Sequence, residues 1–377
     1  MKKICVVTGS RAEYGLLKKL ISRLDKEKSL LMQIIVTGAH LSEFYGNTYK
    51  NIIDDGFKID KKINIPIKKN NSKYDTTKFT GNAIIGFVDA YKKLDPDIVV
   101  VLGDRYEIFA ATFSAMNMNI PVAHIQGGEL TGSIDESIRH AMSKFANYHF
   151  VANEDAKKRL IKMGEKRENV FNVGCPSLDA LFAEKDIKSH IIRKKFKLRN
   201  KEKFIIVIQH PVTTENKLSN YQIIETLEAI KLLKIQTLIV LPNNDSGHSQ
   251  IVKHIKKSHI RWTKTLTLRD YKSLLKNSSL LLGNSSSGIH EASSFGVPVI
   301  NIGTRQNGRL KPKNVVNAKH ERFDISKKIK YCLYNKTFLK KIKNIKNPYG
   351  DGKSSERIIK LIKKIDLKAS TQKQNSY

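Results

Sequence analysis

Short runs of aliphatic and β-branched residues alternate with longer stretches of helical periodicity along the first part of the chain. The runs are bounded by Gly, Pro and Asn, which is typical of buried strands. Between them, apolar residues recur at spacings of three and four, which favours amphipathic helices. The predicted strands lie at 3–8, 32–38, 98–102, 122–125, 148–153 and 170–174. Regular alternation of strand and helix predicts an α/β fold built on a doubly wound parallel sheet.

The alternation lapses once, in a charged and polar stretch at 181–202, and begins again with the apolar run 204–208. We interpret this stretch as a linker between two Rossmann-like domains with a cleft between them. The predicted domains are 1–180 and 181–350. A last segment, 351–377, holds a helix and a polar tail. The 377 residues suffice for two domains of ordinary size.

The segment 97–136 places a cluster of polar residues just beyond two predicted strands. Because the strands 98–102 and 122–125 flank a helix-like stretch, they form a predicted βαβ unit with parallel strands. Their carboxyl ends then share one edge of the sheet, where open α/β sheets bind ligands. The predicted active-site residues are those that follow these strands: Asp104, Gln126, Glu129, Asp135 and Glu136, with Arg105 beside them to meet a negative charge.

These carboxylates also have a structural interpretation. Asp104 can cap the helix that follows it, and Asp135 and Glu136 can open the next helix, because acidic residues are common in first turns. For any single residue the two interpretations are about equally good. The arrival of all of them at one sheet edge favours catalysis.

The second half of the chain also ends its predicted strands with polar clusters, at 209–214, 242–245, 283–288 and 303–306. A helix begins in the turn 284–288, so its N–H groups and hydroxyls are suited to a diphosphate. Glu291, one turn further, is suited to a ribose diol. The alternative interpretation of the serine turn is that it only caps the helix. The turn at 9–15, where small residues precede a helix, is a weaker candidate anion site, because it lacks the GxGxxG and GxxxxGK[ST] spacings. The diphosphate candidates are Ser285, Ser286, Ser287 and Gly288.

Composition limits the class of protein. Hydrophobic residues make up 40% of the chain and charged residues 27%, as in globular proteins. No stretch approaches the roughly 20 apolar residues of a membrane span, and the N-terminus enters a strand instead of a signal-peptide core. We therefore expect a cytoplasmic protein with no membrane partner. The cysteines, Cys5, Cys175 and Cys332, lack disulfide or metal-ligand spacing, so no metal site is expected.

The formal net charge of +33 raises the question of nucleic-acid binding. Most of the basic residues are lysines dispersed in several runs, whereas phosphate clamps favour arginine. No aromatic stripe or nucleic-acid motif accompanies these runs. We interpret the charge as a solvated surface that also helps attract an anionic nucleotide, and we expect no nucleic-acid partner.

Seven motifs follow one another along about residues 1–320: GSRAEY from Gly9, GDR from Gly103, GGE from Gly127, DESIRH from Asp135, QHPVTT from Gln209, GNSSSG from Gly283 and GTRQ from Gly303. In order and spacing they resemble the hydrolysing UDP-N-acetylglucosamine 2-epimerases of sialic acid synthesis. The resemblance implies a GT-B-like fold and conversion of UDP-N-acetylglucosamine and water to N-acetylmannosamine and UDP. In that family UDP leaves by elimination to a 2-acetamidoglucal, which is then hydrated with inversion at C2.

The resemblance also assigns roles to individual residues. Asp104, Asp135 and Gln126 line the reacting sugar, with Glu136 as a further catalytic candidate. His210, Arg105 and Arg11 lie by the diphosphate. This division suits the reaction, since the leaving diphosphate needs cations and N–H donors while proton transfer at C1 and C2 needs carboxylates. The nucleotide is held by Ser285, Ser286, Glu291, Asn243 and Arg305. The resemblance thus implies that domain 1–180 carries the sugar and the catalysis and that domain 181–350 binds the nucleotide.

Three more expectations follow from the resemblance. Neither a metal nor a redox cofactor takes part, so the partners are the nucleotide-sugar substrate and UDP. The assembly is a homo-oligomer, either a dimer or a tetramer. A last helix at 354–365 crosses back to the first domain.

Gln126 departs from the resemblance, because many relatives carry Glu here and an amide cannot transfer protons as a carboxylate does. Either Asp104 and Asp135 suffice, or the sugar differs. A close branch of the family acts on UDP- or GDP-linked 2,4-diacetamido-trideoxy hexoses in legionaminic acid synthesis, which leaves the amino sugar and the base open. A non-hydrolysing 2-epimerase and a GT-B glycosyltransferase would share the predicted fold. The acidic turns at Asp104 and Asp135 argue against the glycosyltransferase.

Overall fold

A computed structural model describes residues 1–65, 73–131, 134–242, 247–367, 373, 374 and 376. The chain forms two compact units. The N-terminal unit comprises Met1–Glu129, Ser133–Ala180 and Tyr349–Tyr377, and the C-terminal unit comprises Leu130–Gly132 and Leu181–Pro348. None of the helices among the described residues has the length and the apolar character of a membrane span.

The N-terminal unit is built on a parallel sheet. Its strands are β1 (Lys2–Thr8), β2 (Leu30–Thr37), β3 (Lys61–Ile63), β4 (Ile98–Leu102), β5 (Val122–Ile125), β6 (Tyr148–Val151) and β7 (Val170–Asn172). Its helices are α1 (Arg11–Asp25), α2 (Lys50–Asp54), α3 (Lys73–Leu94), α4 (Tyr106–Asn117), α5 (Ile134–Phe145), α6 (Glu154–Lys162) and α7 (Pro176–Ala183). The strand order is β3-β2-β1-β4-β5-β6-β7, with every pair parallel.

Both faces of this sheet are covered by helices. Ile4 and Val6 of β1 are buried in one cluster together with Leu17 of α1. Cys5 and Val7 are buried in a second cluster with residues of α3 and α4. Because neither face meets water, the central strands are apolar throughout instead of alternating, as parallel sheets require.

The C-terminal unit has a second parallel sheet. Its strands are β8 (Phe204–Ile208), β9 (Gln236–Val240), β10 (Trp262–Thr263), β11 (Leu280–Gly283), β12 (Val299–Ile302) and β13 (Val315–Ala318). The strand order is β10-β9-β8-β11-β12-β13, with every pair parallel. The helices are α8 (Ser189–Lys195), α9 (Ser219–Lys231), α10 (His248–Lys257), α11 (Leu268–Asn277), α12 (Ser286–His290), α13 (Arg322–Tyr334) and α14 (Lys336–Ile342). The predicted alternation of strand and helix is thus confirmed in both units.

The last helix, α15 (Ser354–Lys364), is part of the N-terminal unit. Ile358 and Ile362 are fully buried in the cluster that contains Leu17. The Lys2 ammonium donates to the carbonyl oxygens of Ile362 at 3.2 Å and Ile365 at 2.6 Å, where the helix dipole favours a cation. The two ends of the chain therefore close one core.

The interpretation of residues 181–202 as a linker is wrong. The stretch contains α8, and Ile192 and Leu198 are buried in a cluster with Phe204 of β8. A short helix needs only a few apolar residues to pack against the sheet. In this stretch they lie among lysines and arginines that face solvent. The charged surface therefore concealed the helical periodicity.

Candidate active site

The polar residues of the N-terminal unit follow strand ends at one edge of its sheet. β4 and β5 are paired as far as Leu102 and Ile125, and the Gly103 N–H donates to the Ile125 carbonyl at 3.1 Å. Just after each strand the backbone enters the left-handed region, at Gly103 (φ 83°) after β4 and at Gln126 (φ 63°) after β5. This region is unfavourable for a residue with a side chain, so the backbone at Gln126 is strained. Asp104 and Gln126 therefore lie at the same edge.

Arg139 of α5 joins these two strand ends. Its buried guanidinium donates from Nη1 to the carbonyl oxygen of Glu129 at 2.7 Å and from Nη2 to the Asp104 carboxylate. The Asp104 side chain is oriented by this pair yet keeps 22% of its surface exposed. The sequence did not reveal this role, although Arg139 lies one helical turn after Asp135 on a predicted helix.

The acidic residues also had structural interpretations, as a helix cap for Asp104 and as first-turn residues for Asp135 and Glu136. Arg105 is the N-cap residue of α4 and no side chain caps that helix, so the prediction of Asp104 as a cap is wrong. Asp135 and Glu136 do lie in the first turn of α5, where the helix dipole stabilises carboxylates. Asp135 is exposed and Glu136 is partly exposed, so this placement leaves both accessible to a ligand.

Gln126 is tied to the chain beyond β7. Its Nε2 donates to Sγ of Cys175 at 3.0 Å, and this sulfur lies 3.2 Å from Oγ of Ser177. Cys175 is buried, whereas Gln126 is partly exposed. The contact fixes the amide nitrogen on the protein side and leaves the amide oxygen as an acceptor.

Two buried glutamates that the sequence did not single out hold Arg105. Its Nε lies 2.6 Å from Oε1 of Glu107 and 3.6 Å from Oε1 of Glu13. The Gly9 N–H donates to the other Glu13 oxygen at 2.6 Å, and a Cβ at Gly9 would lie 2.5 Å from Cγ of Glu107, so the site requires glycine there. Arg105, predicted to meet the diphosphate, is thus engaged by two carboxyl groups in this structure.

Burial, together with the nearby charge of Glu107, raises the pKa of Glu13 to about 8 in spite of Arg105. The folded protein therefore keeps this proton over a pH range in which the unfolded chain loses it. Stability falls with rising pH wherever the folded state binds more protons. Glu13 is expected to make the free energy of unfolding decrease as pH rises from about 4.5 to about 8.

Glu13→Gln is expected to weaken this pH dependence, because the amide cannot ionise and still offers an oxygen to the Gly9 N–H. The free energy of unfolding of the variant, measured by urea titration, should rise relative to that of the wild type between about pH 5 and about pH 8. Glu168→Gln, at an exposed position, serves as the control and should show no such trend. A constant difference between Glu13→Gln and the wild type would mean that Glu13 ionises normally.

In the C-terminal unit, His210 and Asn284 connect the ends of β8 and β11. The His210 N–H donates to Oδ1 of Asn284 at 2.7 Å, and Nδ2 of Asn284 donates to the His210 carbonyl at 2.8 Å. Burial and the positive charge of Arg305 lower the pKa of His210 to about 4. The imidazole is therefore neutral near pH 7 and offers a hydrogen bond instead of a positive charge.

Arg305 and Gln306 hold the same turn from a second strand end, beyond β12. Nη1 of Arg305 and Nε2 of Gln306 donate to the carbonyl oxygen of Asn284 at 3.2 and 2.8 Å. Gly283 has φ 135°, and a Cβ there would lie 2.0 Å from the Ile208 carbonyl oxygen. Only glycine permits this approach of β11 to β8, which places Asn284 within reach of His210.

The serine turn has the N-cap geometry of the alternative interpretation. Ser285 is the N-cap residue of α12, and its hydroxyl accepts from the Ser287 N–H at 3.4 Å. Ser286 is the first residue of this five-residue helix. A Cβ at Gly288 would lie 2.9 Å from Cγ1 of Val299, so Gly288 serves the packing of α12 against β12. The capping role of Ser285 is confirmed, and a ligand role for the turn stays a prediction.

Glu291 lies at the end of α12 as its C-cap residue. It neighbours Tyr271 of α11, whose pKa is raised by burial and by the charge of Glu291. Tyr271 is a further residue that the sequence did not single out. Its buried phenol group lies near the side chain predicted to bind the ribose.

The remaining predicted residues have simpler surroundings. Arg11 is exposed at the first position of α1, whose N-cap is Ser10. Glu129 is buried and offers its carbonyl to Arg139. Asn243 lies outside the described residues. A ligand role for each of these residues stays a prediction.

A family model of the UDP-N-acetylglucosamine 2-epimerases matches residues 22–363, which is most of the chain. The chain belongs to this family. The resemblance predicted from the seven motifs is therefore confirmed, and the protein is an enzyme of the UDP-N-acetylglucosamine 2-epimerase family.

Two relatives are similar along most or all of their length. The UDP-N,N'-diacetylbacillosamine 2-epimerase (hydrolyzing) of Legionella pneumophila is 38% identical over 383 residues, 100% of each chain. The GDP/UDP-N,N'-diacetylbacillosamine 2-epimerase (hydrolyzing) of Campylobacter jejuni is 38% identical over 325 residues, 84% of each chain. Both relatives are named for N,N'-diacetylbacillosamine and for hydrolysis.

The crystal structure of the UDP-GlcNAc 2-epimerase from Neisseria meningitidis bound to UDP-GlcNAc is similar in fold. Its TM-score is 0.83, with 24% identity, and the match covers 96% of this chain and 100% of that one. The predicted fold class, α/β with two Rossmann-like domains of the GT-B-like kind, is confirmed.

Proposed function

We propose that the protein is a hydrolysing 2-epimerase, which converts a nucleotide-linked 2-acetamido sugar and water into the free 2-epimeric sugar and a nucleoside diphosphate. The observation that carries this proposal is the 38% identity over the full length of a hydrolysing relative. The Asp104 carboxylate, oriented by Arg139 at the sheet edge, supports the proton transfers that the reaction needs.

In the first proposed step a carboxylate removes the proton at C2. The electron pair of the C2–H bond forms the C1=C2 double bond, and the C1–O bond breaks with its electrons leaving on the diphosphate. The 2-acetamidoglucal then receives a proton at C2 on the opposite face from a carboxylic acid, and water adds at C1 and gives its extra proton to the carboxylate so formed. Asp104 and Asp135 are the proposed proton-transfer residues, and His210 is a proposed donor to the departing diphosphate.

We further propose a nucleotide-linked 2,4-diacetamido-trideoxy hexose as the substrate, for legionaminic acid synthesis. Two relatives at 38% identity are named for N,N'-diacetylbacillosamine. The side chain of Gln126 supports this choice, because one N–H of its amide donates to Cys175 and orients the group, and its oxygen is left to accept a hydrogen bond. The N–H of a C4 acetamido group supplies the matching donor.

UDP-N-acetylglucosamine is the second candidate, with N-acetylmannosamine and UDP as products for sialic acid synthesis. The description of the matching family favours it. The chemistry at C1 and C2 is the same for both sugars, so the carboxylates serve either one. The two candidates differ at C4 and C6 of the hexose.

Incubation with UDP-N-acetylglucosamine and, separately, with UDP- and GDP-linked 2,4-diacetamido hexoses tests the proposal. NMR of the products should show a free 2-epimerised sugar and an equal amount of nucleoside diphosphate, fastest with a diacetamido substrate. A 2-epimer that stays attached to its nucleotide would make the protein a non-hydrolysing epimerase. Faster turnover of UDP-N-acetylglucosamine would favour the second candidate.

Gln126→Glu separates the two sugars. If Gln126 accepts a hydrogen bond from the C4 acetamido group, the variant loses the Cys175 contact and places a negative charge beside the sugar. kcat/KM for the diacetamido substrate should then fall by about 10–100-fold, the value of one such contact. If the substrate is UDP-N-acetylglucosamine, the restored carboxylate should keep or raise the activity. Gln250→Glu, at an exposed position on α10, is the control for the added charge.

A further inference from the structure

Lys373, near the C-terminus, places its ammonium group at the end of α5. Nζ donates to the carbonyl oxygens of Ser143 at 2.9 Å and Lys144 at 2.8 Å, in the last turn of that helix. The carbonyls of a last turn have no partner within the helix, and the helix dipole favours a cation there. The Ser376 N–H donates to the Gly164 carbonyl at 2.8 Å, which gives the tail a second point of attachment. Lys373 therefore acts as a distant C-cap for α5.

The same ammonium group pairs with a buried carboxylate. Nζ of Lys373 lies 2.6 Å from Oε2 of Glu165, whose side chain is only 2% exposed. Glu165 also accepts from Nε2 of His149 at 2.9 Å and lies 3.0 Å from Nζ of Lys144. Burial alone would oppose ionisation, but the contacts with His149 and Lys373 outweigh it and lower the pKa of Glu165 to about 2. The tail is thus attached by an ionic, largely buried contact.

The attached end of α5 is linked to the catalytic edge of the sheet. Oγ of Ser143 lies 3.2 Å from Nδ1 of His124, and Nε2 of His124 lies 2.7 Å from the carbonyl oxygen of Gly103, next to Asp104. Oγ of Ser143 also lies 3.0 Å from the carbonyl oxygen of Arg139, one turn back along the helix. Arg139 in turn holds the Asp104 carboxylate. Displacement of the last turn of α5 would therefore be transmitted to Asp104 by two routes.

We propose that Lys373 is a positioning residue for catalysis: it fixes α5 at its C-terminal end and so sets the placement of Asp135 in the first turn and of Arg139 against Asp104. The inference rests on the proposed function, because α5 matters to catalysis only if those side chains handle the sugar. The simpler alternative is that Lys373 only fastens the tail and contributes to stability. The two differ in their effect on kcat.

The test compares full-length Lys373→Met and Lys373→Arg with the control Lys364→Met, an exposed position at the end of α15. Lys373→Met should lower kcat by about tenfold at a temperature well below its Tm, because small misplacements of catalytic groups are costly. KM should change by less than about twofold, because α5 carries proposed proton-transfer residues, whereas the residues proposed to bind the nucleotide lie on other elements. Lys373→Arg should restore most of the rate, and Lys364→Met should leave it unchanged. A wild-type kcat for Lys373→Met, or an equal loss in Lys364→Met, overturns the proposal.

Hydrogen exchange of the α5 amides gives a readout that does not depend on the substrate. Exchange should be faster in Lys373→Met than in the wild type and normal in Lys373→Arg. Failure of the wild type to release a nucleoside diphosphate from any sugar tested would overturn the proposed function. Unchanged exchange of the α5 amides in Lys373→Met would overturn the positioning role, whatever the substrate. Lys373→Gln keeps an N–H donor and loses the charge, and it replaces Lys373→Met if that variant does not fold.

Discussion

Asp104→Asn is expected to lower kcat by about 10²–10⁴-fold, the scale of general acid–base catalysis. Asparagine keeps the shape of the side chain and an oxygen for Arg139, but it cannot exchange a proton with the sugar. Asp135→Asn, in the first turn of α5, should show a loss of the same order. Affinity for UDP, measured by calorimetry, should stay close to that of the wild type in both variants, because neither residue is proposed to bind the nucleotide.

Asp89→Asn, at an exposed position on α3, is the matched control and should leave kcat unchanged. Rates are best measured as nucleoside diphosphate released from the substrate that NMR identifies as fastest. Near-wild-type rates for both Asp104→Asn and Asp135→Asn would remove these carboxylates from the chemistry. A loss confined to one variant would assign the rate-limiting proton transfer to that residue.

His210→Ala is expected to lower kcat by about 10²–10³-fold, the usual cost of removing one preorganised donor to a developing negative charge. The charge on the diphosphate grows as the C1–O bond breaks, so the interaction is stronger in the transition state than in the ground state. The His210 side chain should therefore matter more for kcat than for UDP affinity. The main-chain contact of His210 with Asn284 is retained in the variant, because the N–H is unchanged.

The low pKa of His210 determines the form in which it acts. With a pKa of about 4, the imidazole is neutral throughout the range from about pH 5.5 to about pH 8, so ionisation of His210 should not lower kcat in this range. His210→Gln, which supplies a neutral N–H donor, should recover part of the rate lost in His210→Ala. A rate that falls steeply above about pH 5, with no rescue by Gln, would mean that His210 acts as a cation.

The fold was predictable because the parallel sheets are covered on both faces, which makes their strands continuous apolar runs such as 98–102. The same pattern placed Asp104 and Gln126 after adjacent strand ends. Residues 181–202 were misjudged because a short helix needs few buried side chains, and Ile192 and Leu198 stand among many charged residues. Apolar periodicity therefore detects long elements better than short ones.

The partners of the site residues were less predictable. Periodicity indicates which face of a helix is buried, but not that Arg139 meets Asp104 across 35 positions of sequence. Glu13 and Glu107 resemble ordinary first-turn acidic residues in the sequence, and only the close approach of Gly9 reveals that they are buried together. The left-handed backbone at Gln126 has no sequence signal either, since glutamine is not a residue that favours that region.

The burial of α15 in the N-terminal unit determines the order in which the units can fold during translation. Residues 1–180 leave the ribosome first, but the cluster around Leu17 lacks Ile358 and Ile362 until the chain has been made as far as α15. The C-terminal unit needs no strand beyond β13 to complete its sheet. Exposed apolar surface in a waiting domain promotes aggregation. The unit that is synthesised first is therefore the last to complete its core, and emergence of α15 from the ribosome is the step that completes it.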